Sequence, residues 1–230
     1  MKMGLLCGNS QKEVRKILVA LDPFNHVCEE AAAWGADLLV THHPLIFQSL
    51  SSVTDKSTVG RAVMTLLGGG VAAINAHTNL DCAAGGVNDT LANVLGLTDV
   101  AVIGDAQLLR AGRFDSSLPR FLTHVKERLG CDGLRYADGG KPVSRVAVGG
   151  GSCGSELQAV LDAGCDTFVT ADVKYNQFWD AKELGLNLID AGHFATENPV
   201  IPVLAAKLQK QFPDIEVKIS QTHRDCMKYY

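Results

Sequence analysis

The sequence lacks the features that mark membrane-spanning and secreted proteins. No apolar run approaches the roughly 20 residues that a bilayer-spanning helix requires. The start, Met1–Cys7, is too short and too soon polar for a signal peptide. We therefore expect a soluble cytoplasmic protein that has no membrane as a partner.

Basic clusters and aromatic residues are also scarce. Lys and Arg form no run, aromatic residues make up 6% of the chain, and the formal net charge is −4. A protein that binds nucleic acid usually carries clustered basic side chains. These properties argue against nucleic acid as the main partner.

Paired cysteines are missing as well. The seven cysteines are scattered, odd in number and nowhere spaced as Cys-x-x-Cys. Neither a disulfide framework nor a thiolate zinc site is expected from such a pattern. We predict that most of them are small core residues in a reducing compartment.

Short apolar runs do alternate with helical patterns along the whole chain, which predicts an α/β fold. The predicted strands are 14–21, 38–41, 71–75, 143–148, 167–170, 186–190 and 215–219. The predicted helices are 26–34, 58–67, 88–95, 118–129, 156–163 (capped by Ser155), 176–184 and 198–211 (starting at Asn198-Pro199). We expect 105–120 to be irregular up to the start of the fourth helix.

The two halves of the chain resemble each other. Residues 34–41 read Trp-Gly-Ala-Asp-Leu-Leu-Val-Thr, and residues 163–170, which lie 129 positions later, read Ala-Gly-Cys-Asp-Thr-Phe-Val-Thr. Residues 76–81 and 192–197 each carry His-x-x-x-acid directly after a predicted strand. A duplicated α/β unit explains this similarity, and a chance likeness of two β-α-β units is the alternative. We predict two halves, 1–108 and 109–230.

Nitrogen and oxygen donors follow the predicted strands, at the edge where parallel sheets bind ligands. These donors are His42, His43, His77, Asp81, His193 and Glu197. Histidine and carboxylate ligands without sulfur suit zinc, iron, manganese or similar divalent ions. Five or six ligands exceed the need of one tetrahedral site, whereas two ions about 3.5–4 Å apart use such a set.

Each donor also has a structural alternative. His42 and His43 could be a surface-loop pair, and neighbours on a strand point to opposite faces. They could serve one compact site only near a strand end, or serve two ions lying side by side. His77 could orient a ligand rather than bind metal. Glu197 could simply stabilise the positive end of the next helix.

Four segments together resemble the YbgI-like dinuclear metal-centre family, whose members are often labelled GTP cyclohydrolase type-two homologues. The segments are Gly35–Phe47 with Thr41-His42-His43-Pro44, Ala76–Asp81, Thr170–Tyr175, and Asp190–His193 with Glu197. The resemblance implies two similar, interlocking α/β halves with a dinuclear site between them, and a toroidal homohexamer. It places the metal ligands on His42, His43, Asp81, His193 and Glu197, with Glu197 as the bridge.

The resemblance also places His77 beside the site, and Asp172 and Lys174 at polar positions near it. Asn176 departs from the family pattern, which has a histidine there. The connection 105–145 is too short for the extra domain that longer relatives insert.

Two functions remain open. The first is a metal-dependent hydrolase acting on a nucleotide or another small anionic compound, with metal-activated water as the nucleophile and His77 or Asp172 moving protons. The second is a non-catalytic metal-binding scaffold or metal-handling protein that acts through partners. The catalytic residues stay unassigned.

The glycine loop Gly149-x-Gly151-x-x-Gly154 formally matches a dinucleotide fingerprint. The family resemblance argues against such a cofactor, and we assign no cofactor-binding residue. Two interpretations remain for the loop: an anion site formed by backbone N–H groups and a tight turn.

Overall fold

The computed structural model describes residues 3–230; Met1 and Lys2, which begin the segment that we considered as a leader, lie outside them. The strands are β1 Gly4–Cys7, β2 Lys16–Ala20, β3 Leu38–Thr41, β4 Ala72–Asn75, β5 Thr98–Ile103, β6 Leu109–Ser116, β7 Arg135–Ala137, β8 Val143–Val148, β9 Thr167–Thr170, β10 Asn187–Asp190 and β11 Glu216–Ile219. The α-helices are α1 Asn25–Trp34, α2 Thr58–Gly68, α3 Thr78–Cys82, α4 Val87–Val94, α5 Leu118–Leu129, α6 Leu157–Asp162, α7 Tyr175–Glu183, α8 His193–Glu197 and α9 Val200–Gln211. Among these described helices, none is long and apolar enough to cross a bilayer.

The chain forms two compact units, and each unit takes two segments of the chain. The first unit consists of the residues up to Leu80 together with Ile201–Arg224, and the second of Asp81–Val200 with Asp225–Tyr230. We predicted a single cut between residues 108 and 109. The observed boundaries differ from this cut for two reasons. Strand β11, from the end of the chain, pairs with β2 and so belongs to the first unit, whereas β5, which lies before residue 108, pairs with β6 in the sheet of the second unit.

The first unit is built on a five-stranded sheet in the order β1-β4-β3-β2-β11. Its strands β11, β2, β3 and β4 run parallel, and β1 closes one edge in the antiparallel direction. Helices α1 and α2 contribute to its core, in which Val27, Ala31 and Leu66 pack with Leu18 and Leu39. Gly35 ends α1 in the left-handed region with φ +70°, as the sequence predicts.

The second unit contains a six-stranded sheet in the order β5-β6-β8-β9-β10-β7. Strands β8, β9 and β10 are parallel, while β6 and β7 pair antiparallel with β8 and β10. Phe121 of α5 and Phe168 of β9 are fully buried. The fold is thus a mixed α/β architecture with two sheets.

Equivalent residues of the predicted internal repeat make equivalent hydrogen bonds in the two units. The Asp37 carboxylate accepts bonds from the backbone N–H groups of residues 15 and 16, at 2.9 and 3.1 Å. The Asp166 carboxylate accepts the equivalent bonds from residues 144 and 145, at 3.1 and 2.8 Å. Each aspartate ties the start of its own strand to the start of the preceding parallel strand, and all these residues keep the offset of 129.

Three local predictions are wrong. The segment 105–120, which we expected to be irregular, contains β6. This strand is stabilised by pairing with β8, and the segment lacks the apolar alternation that would have indicated a strand. Ser155 does not cap a helix: its hydroxyl bonds to Glu156 within a 3-10 turn, and α6 begins at Leu157. The helix predicted from Asn198 begins at Val200, and the short α8 precedes it.

We predict that Asp166→Ala lowers the free energy of unfolding by about 1–3 kcal/mol, because strand N–H groups lose a charged acceptor. Urea unfolding followed by circular dichroism measures the change. Asp132→Ala, at an exposed aspartate of the same unit, serves as the control with little effect. A loss no larger than that of the control would contradict the structural role of the repeated aspartate.

Candidate metal centre

Three imidazoles cluster at the carboxyl edge of the sheet in the first unit. His42 and His43 follow β3 and His77 follows β4, and a ring nitrogen of each lies within 4.8 Å of those of the other two. The ring centroids are 4.9 Å apart for His42 and His43, and 5.0 and 5.5 Å from His77 to each of them. We call these three residues the imidazole cluster.

The adjacent histidines share one cluster because β3 ends at Thr41. Beyond that residue the strand alternation no longer applies, and the Thr41 hydroxyl donates to the carbonyl of His43 at 2.6 Å. His42 is fully buried, which excludes the surface-loop interpretation for that residue. The structure therefore provides the strand-end placement that one compact site requires.

A hydrogen bond on Nδ1 fixes the orientation of both strand-end histidines. The Nδ1 atom of His42 lies 2.8 Å from the carbonyl oxygen of Ala76, and that of His43 lies 2.7 Å from Asp22 Oδ1. Because a carbonyl can only accept, the proton of a neutral His42 sits on Nδ1 and leaves Nε2 as the donor atom for a cation. Such partners are typical of histidines that bind metals.

Asp22, a residue that was not among the predicted site residues, connects His43 to His223. Its second carboxylate oxygen lies 3.0 Å from Nε2 of His223, which is buried. Burial raises the pKa of Asp22, but the hydrogen bonds with His223 and His43 outweigh it and hold this pKa well below its usual range. The available signal was position, since Asp22 follows β2 at the same sheet edge.

The second unit brings together Asp81, His193 and Glu197, which we call the carboxylate cluster. Carboxylate oxygens of Asp81 and Glu197 lie within 4.8 Å of each other. His193 Nε2 is 3.0 Å from Glu197 Oε2, across one turn of α8. Glu197 ends this helix and is 4% exposed, so it does not act as an exposed charge before α9.

His193 repeats the orientation seen in the first unit. Its Nδ1 lies 2.6 Å from Asp172 Oδ2, and Asp172 adopts a left-handed backbone with φ +52°. Burial lowers the pKa of His193, but the hydrogen bonds and charges of Glu197 and Asp172 outweigh it and raise this pKa to about 9. The two carboxylates therefore favour a positive charge at this position, whether a proton or a metal ion supplies it.

The glycine loop after β8 supports Glu197 rather than a nucleotide. The N–H groups of Gly150 and Gly151 donate to Asn88 Oδ1 at 2.7 Å and to Thr196 Oγ1 at 3.0 Å. A Cβ at Gly151, where φ is +65°, would lie 2.1 Å from Glu197 Oε1. The loop thus has the character of a tight turn that leaves room for the carboxylate.

Cysteine does not compete with these donors. Four of the seven cysteines are buried, which confirms the prediction that most are core residues. Burial, with smaller contributions from the charges of Asp81 and Glu197, raises the pKa of Cys153 to about 12. Its thiol therefore stays protonated, and the donors of both clusters are imidazole nitrogens and carboxylate oxygens that fit divalent ions.

Comparisons with known proteins agree with the resemblance read from the motifs. A family model described as Duf34/NIF3 (NGG1p interacting factor 3) matches residues 1–226. A Clostridium perfringens protein described as a GTP cyclohydrolase 1 type 2 homolog is 32% identical over 99% of this chain and 90% of its own length. A Staphylococcus aureus hypothetical protein has a TM-score of 0.92 at 27% identity, with 100% and 92% of the two chains covered. The solved protein ybgI, of unknown function by its description, has a TM-score of 0.87 at 26% identity, with 97% and 90% covered.

We predict that His193 is protonated at pH 7.5 in protein stripped of metal, and loses its proton near pH 9. Its raised pKa stabilises the fold below the unfolded pKa of 6.5, and this contribution is lost as the pH rises through 9. Titration of the imidazole by NMR measures it, and Asp172→Asn should lower the value. A midpoint at or below 6.5 would contradict the described geometry.

We also predict that Gly151→Ala lowers metal affinity by about 10–100-fold, because the new methyl group displaces Glu197. Gly164→Ala is the matched control: Gly164 also has a positive φ, of +71°, but a Cβ there meets no atom within 4 Å. Both variants should lose stability, and only Gly151→Ala should lose metal in equilibrium dialysis with zinc. Equal metal affinities would show that the loop does not position Glu197.

Proposed function

The chain belongs to the Duf34/NIF3 family, and from that premise we propose that it is a metal-dependent hydrolase of nucleotides or other small anionic substrates. One observation carries the proposal. His42, His43 and His193 each hold Nδ1 within hydrogen-bonding distance of an oxygen, so each is oriented to offer Nε2 to a cation. Three histidines with this shared arrangement are difficult to explain by packing alone.

We propose that His42, His43, Asp81, His193 and Glu197 together hold two divalent ions, with Glu197 as the bridge. The two clusters complement each other, since one contains only imidazoles and the other both carboxylates. Asp81 follows His77 by four positions in the sequence. Zinc, iron and manganese all suit this donor set.

The charge of such a centre favours an anionic substrate. Two divalent ions carry more positive charge than Asp81 and Glu197 neutralise, so a phosphate or carboxylate group would be attracted. When bound, the ions would supply Lewis acidity for hydrolysis. His77 is our candidate for holding or moving a proton, because its ring lies next to His42 and His43 and outside the five proposed ligands. Asp172 is the second candidate, since it already contacts His193 Nδ1.

GTP is the first nucleotide to test. The Clostridium perfringens relative carries the description GTP cyclohydrolase 1 type 2 homolog, and opening of the guanine ring is itself a hydrolysis. Fold and metal ligands alone do not fix a substrate, so the trial needs a panel of nucleotides. We further propose that the protein acts in the cytoplasm as a homohexamer.

We predict that the purified protein binds about two divalent ions per chain and hydrolyses at least one nucleotide of the panel. His42→Ala and Glu197→Ala should lose metal by elemental analysis and turnover by chromatography of the products. His26→Ala and Glu183→Ala, at exposed positions, are the matched controls and should keep both.

Two results would overturn parts of the proposal. Fewer than about one bound ion per chain would contradict the dinuclear centre. Full metal content without turnover on any substrate would favour the non-catalytic scaffold.

A further inference from the structure

A cleft of about 450 Å³ lies in the first unit, beside the imidazole cluster. The residues after β2 form one wall, the loop after His43 forms another, and the start of α2 completes the lining. Its volume falls in the range of pockets that hold small organic molecules, about 300–1,000 Å³. The Asp22–His43 pair reaches the cleft, so a ligand bound there would lie next to a proposed metal ligand.

Two aromatic rings in the lining are exposed to solvent. Phe24 is 53% exposed and Phe47 is 66% exposed, although neither belongs to the buried core of the unit. Pro23 and Pro44 add rigid apolar surface to the same lining. Rings that contribute little to the core but line a cleft are suited to stacking against a flat ligand.

The side-chain amide of Asn25 is a polar group in this largely apolar lining. Asn25 lines the cleft, and its Oδ1 atom is buried without a hydrogen-bond donor among the described residues. A buried acceptor without a donor is costly in a folded protein. Rotation of the Asn25 amide would present this oxygen to a ligand that carries an N–H group.

The cleft offers little charge to bind an anion. Asp22 and His43 are the ionisable groups in its lining, and they bond to each other at 2.7 Å. The remaining lining consists of apolar, hydroxyl and amide side chains. The part of a ligand held here is therefore uncharged, in contrast to the part attracted by the proposed metal ions.

We propose that this cleft binds an uncharged, flat nitrogen heterocycle that carries a ring N–H donor. The ring stacks against Phe24 and Phe47, and its N–H donates to Asn25 Oδ1. The claim that the cleft holds the base of the substrate rests on the proposed function. The claim that the cleft binds the free heterocycle does not, because that binding requires no metal. The substrate class is thus narrowed to nucleotide-like compounds with a lactam or amino heterocycle.

Calorimetry with two nucleosides on the full-length protein tests the donor. Inosine carries a lactam N–H, whereas purine riboside has the same ring system without this donor. We expect inosine to bind at least about tenfold more tightly, since a missing donor leaves a buried acceptor unpaired. In Asn25→Leu this preference should disappear. Equal affinities in the unaltered protein, or no inosine binding, would overturn the proposal.

The aromatic contribution is tested by Phe47→Ala, which alters an exposed loop position and leaves the core intact. Inosine binding should weaken by about tenfold, a typical effect of losing one stacked ring. Phe212→Ala removes another exposed ring of the same unit, outside the cleft lining, and should bind inosine as before. Unchanged binding by Phe47→Ala would contradict the stacking.

Ribose 5-phosphate separates this proposal from the metal-centre proposal. It lacks the ring, so its binding should require metal and Glu197 but not Phe47. Inosine binding should persist after treatment with a chelator. If the metal-loaded protein binds inosine but not ribose 5-phosphate, the result counts against the metal centre. If the chelator-treated protein no longer binds inosine while the metal-loaded protein still binds ribose 5-phosphate, the result overturns the proposed ring-binding role of the cleft.

Discussion

The site depends on the hydrogen bonds that hold Nδ1 of its histidines. A histidine side chain can turn about two bonds and present either nitrogen, so without a second partner it forms a poorly defined ligand. Here an oxygen lies beside Nδ1 of His42, His43 and His193. The partners are a carbonyl, Asp22 and Asp172, and each follows a strand of its own sheet at the carboxyl end. The positions of the strand ends therefore determine which way these three imidazole rings point.

The repeated architecture explains why these partners recur. Parallel strands end at one edge of each unit, four strands in the first unit and three in the second. A partly buried aspartate, Asp37 or Asp166, ties the starts of two neighbouring strands together at the opposite edge. The ligand-bearing ends differ between the two units. The first unit carries the three imidazoles of the imidazole cluster, whereas the second carries His193 and Glu197 on the short α8 together with the glycine loop that leaves room for Glu197. A shared scaffold with different edges is what an internal duplication predicts.

Much of the fold could be read from the sequence, because apolar strands and capped helices carry local signals. The bounds of β3, β8, β9 and α5 agree with the prediction, and the six candidate donors fall into the two clusters. Two of the missed features depend on distant partners, and one is too short to give a signal. Strand β6 is held by β8, whereas the five residues of α8 are too few to show a helical period. Asp22 looked like part of a turn, and its contact with His223 joins positions about 200 residues apart.

X-ray absorption spectroscopy of the zinc-loaded protein tests the central claim most directly, because it reports the donor atoms and any neighbouring metal. We predict a first shell of nitrogen and oxygen at about 2.0–2.2 Å without sulfur. We also predict a metal–metal distance of about 3.5–4 Å. A sulfur shell near 2.3 Å, or two bound ions per chain without a metal–metal signal, would contradict a dinuclear centre of histidines and carboxylates.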